Sequence, residues 1–138
     1  IRGEHIENLV QPFLEAGASV TTRKVAIDEE EARNPNAVKV VCDLRGRALY
    51  FSRSPIPFHR GTEGTGHFKH IGLYGYTPES LRSFSSLPQT PCEKREKLEQ
   101  LRFLENGIEI HVRETGFDTL GVDTEDDLEA VRRLFETS

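Results

Sequence analysis

The sequence predicts an α/β fold, with a mixed and mainly parallel sheet flanked by helices, over residues 1–138 as a single domain. Three observations support this prediction. Helical and strand patterns alternate along the chain, predicted helices begin at recognisable caps, and 138 residues suffice to bury the core of one domain. Such an alternation is typical of a sheet that is covered by helices.

The first third of the chain contains both kinds of element. Residues 4–15 carry apolar side chains at helical spacing, and residues 19–27 are rich in β-branched side chains, which favours a strand. Residues 28–33 form a short acidic helical turn. Strands are predicted over residues 37–43 and 47–54, and the short turn between them indicates an antiparallel hairpin.

The middle of the chain alternates in the same way. Residues 60–69 are rich in glycine and threonine and are predicted to form a mobile loop, which a strand over residues 70–76 follows. Thr77 and Thr90 each precede a proline, the arrangement of a helix cap with proline at the first helical position. We expect one amphipathic helix over residues 90–105.

Asp123 is the first candidate for chemistry. A strand is predicted over residues 108–113, and Asp123 then stands between the Gly121 turn and a last helix that Thr124 caps. A carboxylate displayed in this way is either a turn residue or a ligand of Mg²⁺, which proteins hold with one or two carboxylates plus substrate phosphates. The pattern alone leaves both readings open.

Arg53 and three residues of the next strand are further candidates. Arg53 ends a predicted strand before a proline, as either a surface residue or a fork that binds a carboxylate or phosphate. His70, Tyr74 and Tyr76 fall on one face of their strand, which fits a polar pocket wall or simple packing of the tyrosines.

The predicted helix over residues 90–105 carries Glu96, Glu99 and Gln100 on one stripe. An ordinary solvated face explains that stripe as well as a binding surface does. Three other histidines are predicted to lie at the surface: His59, His67 and His111.

Composition excludes several classes of function. A net charge of −5 argues against a nucleic-acid partner. No apolar run reaches the roughly 18 residues that a membrane-spanning helix needs, so we expect a cytoplasmic protein without a membrane segment. Cys42 and Cys92 lack the spacing of metal ligands.

Longer motifs occur in register along the chain. They are Asn34-Pro35-Asn36-Ala37-Val38-Lys39-Val40-Val41, Ala48-Leu49-Tyr50-Phe51-Ser52-Arg53, His70-Ile71-Gly72-Leu73-Tyr74-Gly75-Tyr76, Leu98-Glu99-Gln100-Leu101-Arg102 and Gly121-Val122-Asp123-Thr124. In order and in most spacings they resemble the CMP-Kdo synthetases, the 3-deoxy-manno-octulosonate cytidylyltransferases. The resemblance runs from about Asn34 to Arg132.

The resemblance implies a Rossmann-like nucleotidyltransferase fold and a cytidylyltransferase activity. Such enzymes transfer CMP from CTP to the acid sugar Kdo, giving CMP-Kdo and pyrophosphate for lipopolysaccharide biosynthesis, and they are usually homodimers that use Mg²⁺. It also implies roles for six residues. Arg53 pairs with the sugar carboxylate, His70 and Tyr74 line the sugar pocket, Glu99 and Gln100 bind sugar hydroxyls, and Asp123 is a catalytic metal ligand.

One departure from the family pattern limits these expectations. The nucleotide-binding N-terminal half and the Gly-Asp-Glu-Pro segment that carries the other metal-binding aspartate are not present in the 138 residues. We therefore expect the acceptor-sugar half of the enzyme, inactive by itself. Two alternatives stay open: a cytidylyltransferase for 8-amino-Kdo or a sialic acid, and a non-catalytic sugar-binding or dimerisation module.

Overall fold

A computed structural model of the chain describes residues 17–61 and 66–116. Within them, one sheet has the strand order β3-β2-β4-β1-β5. The strands are β1 (Val20–Ile27), β2 (Lys39–Cys42), β3 (Ala48–Ser52), β4 (His67–Tyr76) and β5 (His111–Glu114). The helices are α1 (Glu29–Ala32), α2 (Pro78–Ser86), α3 (Pro91–Glu96) and α4 (Leu101–Glu105).

The sheet is mixed, as predicted, and helices flank it. Strand β1 pairs with β5 in parallel, whereas the β1–β4, β4–β2 and β2–β3 pairs are antiparallel. The described pairings therefore differ from the predicted mainly parallel sheet. The reason is that β2 and β3 form the predicted hairpin, and β4 then runs between β2 and β1 in the direction opposite to both.

Strand β4 is longer than predicted. It begins at His67, three residues before the expected start, so residues 67–69 belong to the sheet and not to a loop. His67 lies opposite Ile27, and Tyr76 lies opposite Val20. Because β4 touches β1 along most of its length, it forms the middle of the described sheet.

The core lies between the sheet and the two short helices α3 and α4. Its buried apolar residues are Val20, Val40, Phe51, Leu98, Leu101, Phe103, Ile110 and Val112. Burying a side chain of this size stabilises a fold by roughly 1.5–3 kcal/mol. Three of these residues come from the segment around α4, so this segment is fixed firmly against the strands.

Three helix caps agree with the sequence. Asp28 accepts a hydrogen bond from the main-chain N–H of Glu31 at 2.8 Å. Thr77 accepts one from the N–H of Ser80 at 3.2 Å. Thr90 opens α3 in a capping box, in which its own N–H donates to a side-chain oxygen of Glu93 at 3.0 Å.

The single helix predicted over residues 90–105 is broken in the structure. Helix α3 ends at Glu96, Lys97 adopts a left-handed conformation with φ of 57°, and α4 begins at Leu101. That conformation costs a residue other than glycine about 1–2 kcal/mol, so the surrounding contacts must stabilise it. The helices predicted over residues 4–15 and behind Thr124 lie outside the described residues.

Candidate functional site

A cleft of about 260 Å³ lies beside the end of β4. It is lined by Tyr74, Tyr76, Leu81, Phe84, Lys97, Leu98, Glu99, Gln100 and Phe103. The structure thus brings together three of the predicted site residues, Tyr74, Glu99 and Gln100. It does so through the turn that separates α3 from α4, since that turn points residues 97–100 towards β4.

A row of rings runs from the core to this cleft. The centroid of His70 lies 4.9 Å from that of Phe51 and 5.2 Å from that of Tyr74. Tyr74 stacks on Tyr76 at 5.5 Å, and Tyr76 lies 5.8 Å from Phe103. The prediction that His70, Tyr74 and Tyr76 share one face of the strand is confirmed.

His70 is the buried end of the row. Burial, and then the charge of Arg23, lower the pKa of its imidazole to about 4. Its Nε2 lies 2.9 Å from the hydroxyl oxygen of Thr22. His70 is therefore neutral at pH 7, and it lies behind Tyr74 without lining the cleft itself.

The β1–β4 ladder is irregular beside this histidine. Thr21 lies opposite Gly75, and Arg23 lies opposite Ile71. Residues 72–74 of β4 therefore stand opposite a single residue of β1, Thr22. The Thr22 hydroxyl lies 2.7 Å from the carbonyl oxygen of Leu73 and 3.1 Å from that of Ile71. Irregularities of this kind re-aim side chains next to binding sites.

Both cleft tyrosines remain protonated phenols. Burial raises the pKa of Tyr74 far above its usual range, and the neighbouring Tyr76 and Glu99 raise it further. Burial and Glu99 raise the pKa of Tyr76 as well. Two neutral phenols can donate hydrogen bonds to a ligand, while Glu99 can accept them.

Arg53 lies outside the cleft wall, beneath the turn between α3 and α4. Its Nε donates to the carbonyl oxygen of Glu96 at 2.7 Å, and its Nη2 donates to that of Lys97 at 3.3 Å. Its Nη1 donates to the carbonyl oxygen of Pro35 at 3.0 Å. Arg53 thus stabilises the left-handed turn, and it connects to the cleft through Lys97.

Glu96 faces β3 and does not share a stripe with Glu99, so the predicted common face is wrong. Its carboxylate accepts the main-chain N–H of Arg53 at 3.0 Å. Burial raises the pKa of Glu96, but hydrogen bonds from the Ser52 hydroxyl, the Arg53 N–H and the Tyr50 hydroxyl outweigh burial and hold it below its usual range.

The comparisons with known proteins identify the family of the chain. The family model for Cytidylyltransferase matches residues 1–110. The chain belongs to the cytidylyltransferase family.

Two curated relatives of this chain carry the same name. The 3-deoxy-manno-octulosonate cytidylyltransferase of Acidobacterium capsulatum is 53% identical over 131 residues, which are 94% of this chain and 54% of that protein. The enzyme of the same name from Koribacter versatilis is 47% identical over 137 residues, 99% of this chain and 52% of that protein. The chain therefore spans about half the length of the curated relatives it matches.

A solved structure shares the fold of this chain. It is a CMP:2-keto-3-deoxy-manno-octonic acid synthetase complexed with CTP, with a TM-score of 0.92 and 42% sequence identity. The match covers 99% of this chain and 57% of that one. The fold predicted from the sequence motifs, a Rossmann-like nucleotidyltransferase, is confirmed.

Asp123, the predicted metal ligand, lies outside the described residues. Among residues 17–61 and 66–116, no group of three or more histidine, cysteine, aspartate or glutamate side chains is arranged to hold a metal ion. Within the same residues, no helix has the length and apolar character needed to cross a membrane.

Two lysines were not predicted as functional residues, and one histidine was predicted at the wrong position. Lys97 was not singled out, although it lines the cleft, and neither was Lys39, which is completely buried in β2. A lysine inside an apolar strand is a signal that could have identified Lys39. His67, predicted at the surface, is buried and stacks on His59 at 4.2 Å, because β4 starts earlier than expected.

Proposed function

We propose that the protein carrying this chain transfers CMP from CTP to Kdo, and that this chain supplies the acceptor-sugar site. The observation that carries the proposal is the cleft in which Tyr74, Glu99 and Gln100 meet. These residues belong to the motifs that resemble CMP-Kdo synthetases, and relatives with that enzyme name match the chain at 47% and 53% identity.

The cleft offers suitable groups for a polyhydroxylated acid. Glu99 accepts hydrogen bonds from sugar hydroxyls, and Gln100 both donates and accepts them. Tyr74 and Tyr76 present apolar ring faces with phenol donors at their ends. His70 lies behind Tyr74 as a neutral wall, so it does not hold the sugar carboxylate as a cation.

Arg53 is the proposed partner of the sugar carboxylate. Three of its five N–H donors bind main-chain carbonyls, which leaves two for a ligand. Carbonyl groups satisfy hydrogen bonds without cancelling the positive charge. Arg53 therefore keeps an electrostatic attraction for an anion, which helps a chain with a net charge of −5 to bind acidic substrates.

The proposed reaction is an in-line attack of a sugar hydroxyl on the α-phosphorus of CTP, with pyrophosphate as the leaving group. Protein residues promote such a step mainly by positioning and by electrostatic stabilisation. The part of this chain is to hold and orient the acceptor sugar. Mg²⁺, when bound, neutralises charge on the triphosphate, and Asp123 is its proposed ligand in this chain.

The decisive experiment is to incubate the complete protein with CTP, Kdo and Mg²⁺ and to measure CMP-Kdo by mass spectrometry. 8-Amino-Kdo and a sialic acid serve as competing acceptors. We expect turnover with Kdo to exceed turnover with either competitor. Faster turnover with a competitor would assign the site to another acid sugar, and the absence of any cytidylylated product would reject the proposal.

Asp123 can be tested separately. Asp123→Asn should lower turnover by about a hundredfold or more, because it weakens a metal ligand, while the melting temperature stays nearly unchanged. Asp126→Asn, three residues further along the chain, is the matched control and should retain activity. Equal rates for the two variants would make Asp123 a turn residue.

Three wider features belong to the same proposal. A CTP-dependent reaction fits a cytoplasmic enzyme, and CMP-Kdo fits a role in lipopolysaccharide biosynthesis. Leu49, which is 62% exposed on β3, offers an apolar contact for the homodimer that the resemblance implies. Sedimentation equilibrium at several protein concentrations measures the oligomeric state, and a monomer at micromolar concentration would reject the dimer.

A further inference from the structure

Glu96 holds Arg53 at two points. One oxygen of its carboxylate accepts the main-chain N–H of Arg53 at 3.0 Å, and its own main-chain oxygen accepts the guanidinium Nε at 2.7 Å. The hydroxyl groups of Ser52 and Tyr50 also hydrogen-bond to the carboxylate. Glu96 thus fixes both the backbone at the end of β3 and the direction of the arginine side chain.

A second support comes from Lys39. The Nζ of Lys39 donates to the carbonyl oxygen of Asn34 at 2.8 Å and to that of Ala37. Between them in the chain lies Pro35, whose carbonyl oxygen accepts Nη1 of Arg53 at 3.0 Å. The fully buried lysine therefore holds in place the turn that provides the third anchor for Arg53.

The left-handed Lys97 links this arrangement to the cleft. Its carbonyl oxygen accepts Nη2 of Arg53 at 3.3 Å, and the residues that follow it, Glu99 and Gln100, line the cleft. Backbone strain of this kind persists only where surrounding contacts determine the conformation. The hydrogen bonds from Arg53 to the carbonyl oxygens of Glu96 and Lys97 are such contacts.

We propose that Glu96 is a positioning residue, which orients Arg53 and the segment 97–100 so that the arginine and the cleft act on the same acid sugar. The identity of the ligand in this proposal rests on the proposed function. The positioning itself rests only on the contacts among Glu96, Arg53 and Lys97. Glu96 does not touch the sugar, and its effect on binding passes through Arg53.

The test compares three variants of the complete protein: Glu96→Ala, Glu96→Gln and Glu105→Ala. Glutamine at position 96 keeps one oxygen for the Arg53 N–H but loses the negative charge. Glu105 is the matched control, since its carboxylate also accepts main-chain N–H groups, those of Cys92 and Glu93, and none of its contacts involves Arg53.

Two measurements separate positioning from general stability. The first is the ratio of the Kd values for the methyl ester of Kdo and for Kdo, which reports recognition of the carboxylate. The second is the hydrogen-exchange rate of the Arg53 Nε–H group by nuclear magnetic resonance, without sugar. Glu96→Ala should lower the ratio by about tenfold and raise the exchange rate by about tenfold, with a smaller change in Glu96→Gln.

Glu105→Ala should lower the melting temperature without altering either quantity. Unchanged ratio and exchange rate in a folded Glu96 variant would overturn the positioning role while leaving the proposed function intact. If the wild-type protein does not bind Kdo, the proposed function fails, and with it the ligand named here. The exchange measurement then still decides whether Glu96 orients Arg53.

Discussion

Helix α3 carries the glutamates of two arginine–glutamate pairs that are built in opposite ways. In the first, the Arg102 guanidinium meets the Glu93 carboxylate directly, with Nε at 2.8 Å from one oxygen and Nη2 at 2.5 Å from the other. In the second, the Glu96 carboxylate binds the main-chain N–H of Arg53, and the Arg53 guanidinium binds carbonyl groups. We call these the closed pair and the open pair.

The difference separates a structural pair from the pair that we propose for ligand binding. In the closed pair the two charges neutralise each other, which lowers the pKa of Glu93 and raises that of Arg102, and the guanidinium also lies 4.2 Å from the ring of Phe84. In the open pair the charge of Arg53 is held in place but is not cancelled by direct contact. Proximity of the two residue types alone therefore does not reveal their role.

The largest expected effect comes from breaking the closed pair. Arg102→Ala leaves the buried carboxylate of Glu93 without its cation, so the melting temperature should fall by about 10 °C. Calorimetry measures the change, and the exposed Arg95→Ala on α3, the helix of Glu93, should shift it little. A fall in preference for Kdo over its methyl ester in Arg102→Ala would show that the closed pair also acts in binding.

A second effect concerns the region of the open pair, where His70 packs on Phe51. Its pKa is about 4 in the folded protein and about 6.5 when unfolded, so the unfolded state binds more protons between these values. Stability contributed by neutral His70 is complete above pH 6.5 and is lost as pH falls towards 4, by about 3 kcal/mol.

Urea unfolding at several pH values tests the role of His70. His70→Gln should flatten the free energy of unfolding between pH 6.5 and 4.5. The lowered pKa values of Glu93 and Glu96 act at lower pH, where protonation of these carboxylates weakens both pairs. An unchanged slope above pH 4.5 in the variant would assign the pH dependence to another group.

A smaller effect is expected from a change that keeps the charge of the open pair. Arg53→Lys removes the planar fork that reaches three carbonyl groups, so affinity for Kdo should fall by about tenfold. Titration calorimetry measures it. Full affinity in the lysine variant would indicate that charge alone, without the anchored geometry, suffices for binding.

The smallest effect concerns the turn that the open pair supports. Lys97→Gly removes the strain of a left-handed side chain and should raise the free energy of unfolding by about 0.5–1 kcal/mol. The matched change Lys94→Gly, within α3, should lower it by about 1 kcal/mol. Chemical denaturation compares the two, and destabilisation of equal size in both would contradict the account of Lys97.

The features that the sequence predicted well depend on short stretches of chain. The caps at Thr77 and Thr90 follow from residues within one helical turn, and the shared face of His70 and Tyr74 follows from strand geometry. The site residues Tyr74, Glu99 and Gln100 came from motif resemblance, and the structure brings them into one cleft. Their roles in binding stay predictions.

The features that the sequence did not predict depend on distant contacts. The break at Lys97 is stabilised by Arg53, which hydrogen-bonds to Glu96 across 43 residues of sequence. The local pattern does not indicate the break, because lysine is not a usual residue in the left-handed conformation. The strand directions depend on which neighbours β4 finds in the folded sheet. The burial of His67 was not predicted either, because it depends on the pairing of the first residues of β4 with β1.

The aromatic row of the cleft has a spectroscopic consequence. The chain contains no tryptophan and three tyrosines, two of which, Tyr74 and Tyr76, stack on each other in the cleft wall. Near-ultraviolet absorption and intrinsic fluorescence therefore originate mostly where the ligand is expected to bind. A sugar that enters the cleft should alter tyrosine emission directly, so this chain carries its own optical reporter and needs no attached dye.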